Sequence, residues 1–180
     1  SNLFAKLLAQ KEAGKPVRVG LIGAGKFGSM FLAQARKLPA IHIAGIADLS
    51  PDRARANLAF VDWKEEAYSA AHLDDACAKN TTFITDDASV LITDERIDII
   101  IEATGDPLIA VDHIIAALDA GKDVINVTVE ADAFCGPGLA HRAKAAGQIY
   151  SMAYGDQPAL VCDLVDWART CGFSVMAAGR

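Results

Sequence analysis

The sequence lacks three features that would place it in other classes of protein. No apolar run approaches the roughly 20 residues that a transmembrane helix needs. The N-terminal segment 1–10 has no long apolar core of the kind found in secretory signals. Positive charge is not in excess, since 17 Lys and Arg against 23 Asp and Glu give a net charge of −6, whereas nucleic-acid binders usually present a basic face. We therefore expect a cytoplasmic protein that binds neither nucleic acid nor a membrane.

The sequence also lacks the spacing of a metal or disulfide site. Its four cysteines, Cys77, Cys135, Cys162 and Cys171, form no C-x-x-C pair. The histidines are scattered over predicted strands and helices, and no P-loop or Ser/His/Asp set is visible. We expect free thiols and no metal site within this chain.

What the sequence does contain is an alternation of apolar strands with helices. Runs rich in β-branched residues predict strands over residues 17–22, 41–47, 81–85, 97–103, 123–128, 148–151 and 173–177. Helices are predicted over residues 3–14, 26–38, 51–79 (as one long or broken helix), 88–92, 107–120, 131–146 and 159–170. Continuous apolar strands that alternate with helices are typical of a parallel sheet covered on both faces. We predict an α/β fold, with a helix over residues 1–15 and a Rossmann-type doubly wound domain over residues 16–180.

A glycine motif lies between the first predicted strand and the helix that follows it. Gly23-Ala-Gly-Lys-Phe-Gly28 has the spacing G-x-G-x-x-G, and Asp48 lies 20 positions further on, at the end of the second strand. Gly23 would make the tight turn, Gly25 would let the backbone approach a pyrophosphate, and Gly28 would allow close helix–strand packing. The free N–H groups of the helix N-terminus suit an anion. The context favours a dinucleotide site over a purely structural glycine-rich turn.

The residues leave the choice between NAD and NADP open. Asp48 favours NAD, because a carboxylate at this position accepts a hydrogen bond from the ribose 2′-OH and repels a 2′-phosphate. Arg53 and Arg55 follow closely, and either could bind a 2′-phosphate. The other interpretation of both arginines is a solvated helix face. Lys26, inside the motif, is a further candidate for phosphate.

Polar residues follow the predicted strands at the edge of the sheet where ligands bind in open α/β folds. Thr104 and Gly105 come after the fourth strand, and Thr104 either contacts the cofactor or caps the next helix. After the fifth strand we expect Thr128 and Glu130 near the nicotinamide, and Asp132 as a helix N-cap. After the sixth, Asp156 either caps the last helix or contacts substrate, so Glu130 and Asp156 are the candidate catalytic residues. The candidate cofactor-binding residues are Gly23, Gly25, Lys26, Phe27, Gly28, Asp48, Arg53, Ala103, Thr104, Gly105 and Thr128.

Several of these stretches together resemble a known family. Residues 17–28, 47–48, 102–105 and 121–125 resemble the nucleotide-binding domain of homoserine dehydrogenases. Residues 128–132 and 155–158 are more similar to a homoserine-dehydrogenase-like group with a C-terminal SAF domain, which includes 1-deoxy-D-xylulose 5-phosphate reductoisomerase-like enzymes. The likeness spans nearly the whole chain after Lys15. The glycine motif is shared by many Rossmann proteins, whereas the later stretches are more specific.

The resemblance implies an NADP(H)-dependent oxidoreductase acting on a small phosphorylated or hydroxy-acid substrate. Its substrate half would lie beyond residue 180. Related dehydrogenases often dimerise through that half, so the longer protein could be a homo-oligomer. Homoserine dehydrogenases usually place Asn-Lys after the fifth strand, where this chain has Thr128-Val129. That departure counts against ordinary homoserine oxidation. It is compatible with the reductoisomerase-like branch, which reduces and rearranges its substrate in isoprenoid-precursor synthesis. Such chemistry also implies a divalent metal, for which this chain shows no ligand set. A non-catalytic nucleotide-sensing module is the alternative from another class.

Overall fold

A sheet of six parallel strands forms the centre of the protein. The computed structural model describes residues 2–155 and 157–179. The strands are β1 (Val17–Ile22), β2 (Ile41–Ala47), β3 (Phe83–Thr85), β4 (Ile99–Glu102), β5 (Asp123–Asn126) and β6 (Tyr150–Met152). Their order across the sheet is β3-β2-β1-β4-β5-β6, and every neighbouring pair is parallel. This is the doubly wound order, with its switch point between β1 and β4, so the predicted fold class is confirmed.

Helices cover both faces of the sheet. They are α1 (Leu3–Glu12), α2 (Lys26–Ala35), α3 (Pro51–Phe60), α4 (Leu73–Lys79), α5 (Ala88–Thr93), α6 (Pro107–Asp119), α7 (Val129–Ala146) and α8 (Gln157–Thr170), with a short 3-10 helix at Glu65–Tyr68. One buried cluster packs α2 and α3 onto the sheet, with Leu32 and Leu58 fully buried. A second cluster packs α4 to α7 onto it, with Leu91 and Ile114 fully buried. Two filled faces explain why the strands are apolar throughout.

Of the two forms predicted over residues 51–79, one long helix or a broken one, the structure has the broken one. Helix α3 ends at Phe60, and Asp62 adopts a left-handed conformation with φ of 63°. The indole N–H of Trp63 then donates to the carbonyl oxygen of Leu32 over 2.9 Å. The segment therefore packs against α2 and does not continue α3.

Two predictions of local structure are wrong. Residues 173–177 form no strand, and Phe173 is 64% exposed. The described sheet ends at β6, so this apolar run has no neighbouring strand to take its backbone hydrogen bonds. Asp132 is not a helix N-cap, because α7 begins at Val129 with Thr128 in the cap position. Asp132 lies inside the first turn, where Tyr150 provides it with a donor.

Candidate dinucleotide-binding site

Two glycines of the motif are required by packing. Gly23 has φ of 95°, and a Cβ there would lie 2.5 Å from the carbonyl oxygen of Ala103 at the end of β4. A Cβ at Gly28 would lie 2.6 Å from the carbonyl oxygen of Gly23. Both distances are shorter than real Cβ contacts, so only glycine lets β1, β4 and α2 meet this closely. The roles expected for a tight turn and for close packing thus have a steric cause.

Gly25 is different, because nothing in the described protein requires a glycine there. Its φ is −70°, and a Cβ would meet no heavy atom within 4 Å. Gly25 is the N-cap of α2 and supplies no side-chain hydrogen bond to the first turn. The N–H groups of that turn receive no side-chain cap, and the space that a side chain at Gly25 would fill is open. Such a cradle fits the pyrophosphate of a dinucleotide.

Asp48 is turned toward the glycine loop. Its Oδ2 accepts from the Ala24 N–H over 2.9 Å, and its Oδ1 accepts from the Ser50 N–H over 2.9 Å and from Arg53 Nη2 over 2.8 Å. The Asp48 side chain is 4% exposed, whereas that of Arg53 is 60% exposed. The carboxylate fixes the loop, and the guanidinium is the group that faces solvent at the end of β2.

The sequence reasoning missed Asn57, which also holds the glycine loop. Its side-chain amide on α3 donates to the carbonyl oxygen of Ala24 over 2.7 Å. Ala24 is thereby held by Asp48 at its N–H and by Asn57 at its carbonyl. The sequence signal that could have identified Asn57 is its place one helical turn after Arg53, on the helix that follows Asp48.

Glu102, at the end of β4, is a second residue whose role the sequence reasoning missed, since it entered there only within the stretch 102–105. Its side chain is fully buried, and Oε1 accepts from Thr104 Oγ1 over 2.5 Å and from the Thr104 N–H over 3.2 Å. Oε2 accepts from the hydroxyl of Thr128, which itself accepts from the Gly105 N–H over 3.1 Å. His113 Nδ1 lies 3.6 Å from the same carboxylate. The sequence signal was an acidic residue within an otherwise apolar strand.

A second polar chain links β5 to β6 beside this carboxylate. Asn126 is fully buried; its Oδ1 accepts from the Thr128 N–H over 3.0 Å, and its Nδ2 donates to Tyr150 Oη over 3.1 Å. Tyr150 donates to Asp132 Oδ1 over 2.9 Å. Burial, with the adjacent Asp132 carboxylate, raises the pKa of the Tyr150 phenol well above its usual value. The phenol is therefore a fixed neutral donor that ties the strand ends together.

The remaining candidates lie at the same edge of the sheet. Lys26 and Phe27 are exposed in the first turn of α2, and Ala103 is half-buried beside Gly23. Thr104 is exposed but is not the cap of α6, which is Asp106. Thr128 is 2% exposed, so its hydroxyl faces Glu102 and Gly105.

The two candidate catalytic residues have different positions. Glu130 is exposed in the first turn of α7, and Asp156 lies outside the described residues. Across residues 2–155 and 157–179, no three His, Cys, Asp or Glu side chains are grouped to hold a metal ion. No helix in these ranges has the length and apolarity to cross a bilayer.

The doubly wound sheet, the strand–glycine loop–helix unit and the open cradle at Gly25 define a dinucleotide-binding Rossmann domain. The sequence model of the GFO_IDH_MocA family, described as an oxidoreductase family with an NAD-binding Rossmann fold, matches residues 17–130. The chain belongs to this family. A second model, described as oxidoreductase DRL, catalytic domain, matches residues 155–180. Neither description names an SAF domain or a reductoisomerase, so those parts of the resemblance stay predictions. No curated protein matches the chain.

Solved structures share the fold at low sequence identity. A homoserine dehydrogenase from Thiobacillus denitrificans is 22% identical with a TM-score of 0.62, over 77% of this chain and 29% of its own. Biliverdin reductase from Synechocystis, solved with biliverdin and NADP+, is 21% identical with a TM-score of 0.53, over 86% and 42%. Myo-inositol dehydrogenase from Lactobacillus casei, solved with NAD(H) and myo-inositol, is 15% identical with a TM-score of 0.55, over 85% and 42%. The chain thus spans less than half the length of each of these proteins.

Proposed function

We propose that this chain is the cofactor-binding domain of an oxidoreductase that uses NADP(H). The observation that carries the choice of NADP over NAD is the arrangement of Asp48 and Arg53. The Asp48 carboxylate is buried and accepts three hydrogen bonds, one of them from Arg53. The exposed guanidinium retains further N–H donors, and a guanidinium binds phosphate through paired hydrogen bonds. The 2′-phosphate would meet Arg53 at the end of β2, and Asp48 would act by holding Arg53 and the glycine loop.

The other candidate residues would hold the rest of the dinucleotide. The uncapped first turn of α2 at Gly25 suits the pyrophosphate, with the exposed Lys26 as a nearby cation. The loop at Thr104 and Gly105, beyond β4, would take the nicotinamide end. When bound, the nicotinamide supplies the hydride, and the chain supplies position and electrostatics. The groups that act on the substrate would belong mainly to the catalytic domain, whose family model matches residues 155–180.

For the substrate, we propose 1-deoxy-D-xylulose 5-phosphate, reduced and rearranged with a divalent metal bound outside this chain. The support is the resemblance of residues 128–132 and 155–158, together with the match of an oxidoreductase catalytic-domain model to residues 155–180. A homoserine-type dehydrogenase is the second candidate, favoured by the structural likeness to such an enzyme. The stretch Thr128-Val129, where homoserine dehydrogenases usually have Asn-Lys, counts against it.

The cofactor proposal is tested by titrating the chain with NADPH and NADH in a calorimeter. We expect tighter binding of NADPH. Arg53→Ala should weaken NADPH binding by about 10- to 100-fold, because charge-assisted hydrogen bonds of about 1.5–3 kcal/mol are lost, and leave NADH binding nearly unchanged. Arg55→Ala, two residues along the same exposed helix, is the matched variant. A loss with Arg55→Ala alone would assign the phosphate to Arg55, and no binding of either dinucleotide at millimolar concentration would refute a dinucleotide site.

The substrate proposal is tested on the natural full-length protein. NADPH oxidation is followed with 1-deoxy-D-xylulose 5-phosphate and a divalent cation, and NADP+ reduction is followed with homoserine. Turnover of the sugar phosphate alone would support the first candidate, and turnover of homoserine alone would support the second. Cofactor binding without turnover of either substrate would refute both and leave the nucleotide-sensing module.

A further inference from the structure

The buried carboxylate of Glu102 has no part in binding the cofactor directly, because its side chain is fully buried. It nevertheless receives three donors from the two loops at the nicotinamide end of the proposed site: the Thr104 N–H, the Thr104 hydroxyl and the Thr128 hydroxyl. Burying a carboxylate is costly unless such donors compensate for lost water. An apolar residue would complete this strand at less cost, so the buried carboxyl group and its three donors call for a role beyond packing.

The carboxylate determines which way both threonine hydroxyls point. Thr104 and Thr128 each donate their hydroxyl proton to Glu102, Thr104 to Oε1 and Thr128 to Oε2. Their lone pairs then face the other way. Thr128 Oγ1 accepts from the Gly105 N–H over 3.1 Å, and Thr104 Oγ1 accepts from the Asp106 N–H over 3.3 Å. Thr104 is an exposed residue, and a hydroxyl that donates once and accepts once can still accept one more hydrogen bond.

Gly105 is held by the same arrangement. Its N–H is held by Thr128, its φ is 76°, and a Cβ there would meet nothing within 4 Å. The loop is therefore fixed by Thr128 on one side, and the space that a side chain at Gly105 would fill is open. Glu102 on β4 and Thr128 after β5 connect the two strand ends that flank it.

We propose, on the basis of the NADP(H) function above, that Glu102 is a positioning residue for the nicotinamide end of the cofactor. Through Thr128 it sets the position of Gly105, and through Thr104 it presents a hydroxyl that can only accept. The matching donor on the cofactor is the NH₂ of the nicotinamide carboxamide. The adenosine end is held separately, by Gly25 and Arg53 on the other side of the switch point.

The test compares a complete cofactor with a fragment that lacks nicotinamide. Affinities of NADPH and of 2′,5′-ADP are measured by calorimetry for the chain and for Glu102→Gln, Thr128→Val and Thr128→Ser. In Glu102→Gln the amide NH₂ would face Thr128, whose buried hydroxyl proton loses its acceptor. Both Glu102→Gln and Thr128→Val should weaken NADPH binding by about tenfold, the effect of one buried hydrogen bond, and change 2′,5′-ADP binding less than about twofold. Thr128→Ser keeps the hydroxyl and should restore NADPH binding.

Asp98→Asn, at the opposite end of β4, is the matched control and should bind both ligands as the unchanged chain does. Equal weakening of NADPH and 2′,5′-ADP, or no weakening of either, would overturn the positioning role. If the unchanged chain binds neither ligand, the NADP(H) proposal itself fails, which is a distinct result.

A second measurement uses Thr104, with Thr104→Ser as the variant that keeps the hydroxyl bound to Glu102. The affinity of NADP+ is compared with that of its 3-acetylpyridine analogue, in which a methyl group replaces the carboxamide NH₂. The unchanged chain should prefer NADP+ by several-fold, and Thr104→Val should abolish the preference. Thr104→Ser should keep it. A preference that survives Thr104→Val would overturn the assignment of the acceptor, even if Glu102→Gln does not fold.

Discussion

Replacing Gly25 with alanine should separate cofactor binding from folding. The new Cβ meets no atom within 4 Å, and φ is negative, so the folded chain accommodates it. Alanine is a poorer N-cap than glycine but lowers the entropy of the unfolded chain, and the two effects oppose each other within about 1 kcal/mol. The methyl group nevertheless occupies the cradle over the first turn of α2. A displaced pyrophosphate loses one or two charge-assisted hydrogen bonds, which weakens binding by about 10- to 100-fold.

Gly23→Ala is the contrasting variant, because it should lower the stability of the folded protein. Its Cβ would lie 2.5 Å from the carbonyl oxygen of Ala103, at a φ of 95°. Strain at such a φ costs about 1–3 kcal/mol, and overpacking costs about 1–3 kcal/mol. A loss of about 3 kcal/mol corresponds to a fall in Tm of about 6–12 °C in a chain of this size.

The assay pairs calorimetric titration with NADPH and thermal unfolding without ligand. We expect Gly25→Ala to bind NADPH more weakly with an unchanged Tm, and Gly23→Ala to have a lower Tm. If Gly25→Ala binds NADPH as well as the unchanged chain does, the first turn of α2 is not the phosphate site. If Gly23→Ala keeps its Tm, the steric account of the turn is wrong.

Two further predictions concern buried polar groups. Burial lowers the pKa of the His42 imidazole below its ordinary 6.5. As the pH falls, the unfolded chain therefore takes up this proton before the folded chain does. The stabilisation is complete above pH 6.5 and is lost as the pH falls toward the lowered pKa, by at most about 1.4 kcal/mol per pH unit. His42→Gln should flatten this slope in urea unfolding between about pH 8 and about pH 5, and an unchanged slope would contradict it. Tyr150→Phe leaves the buried Asn126 amide and Asp132 without the hydroxyl that joins them, and should cost about 1–3 kcal/mol in urea unfolding. Tyr154→Phe, at a residue 79% exposed, is its control, and an equal loss there would argue against the network.

The sequence predicted the elements with strong local signals. Gly23 and Gly28 were found by their spacing, since a tight turn and close packing exclude every other residue type. The sequence left open whether residues 51–79 form one long or a broken helix, and it predicted a strand at residues 173–177 that does not form; both outcomes depended on contacts between distant residues. Trp63 is bound to Leu32, 31 positions away, and residues 173–177 have no strand beside them, which an apolar pattern cannot reveal.

The order of apolar and glycine residues by itself determined the class of fold and pointed to the place proposed for the cofactor. Strands buried on both faces must be apolar, and a helix that starts at an uncapped glycine turn leaves its N–H groups for an anion. Only the tertiary structure decided what the polar residues do. Asp48 has the spacing of a ribose-binding carboxylate, yet folding turns it toward Ala24 and Arg53. In the sequence Glu102 is only an acidic residue in an apolar strand. Its bond with Thr128 forms because β5 lies beside β4, and the hydrogen bonds of a side chain depend on its neighbours in space.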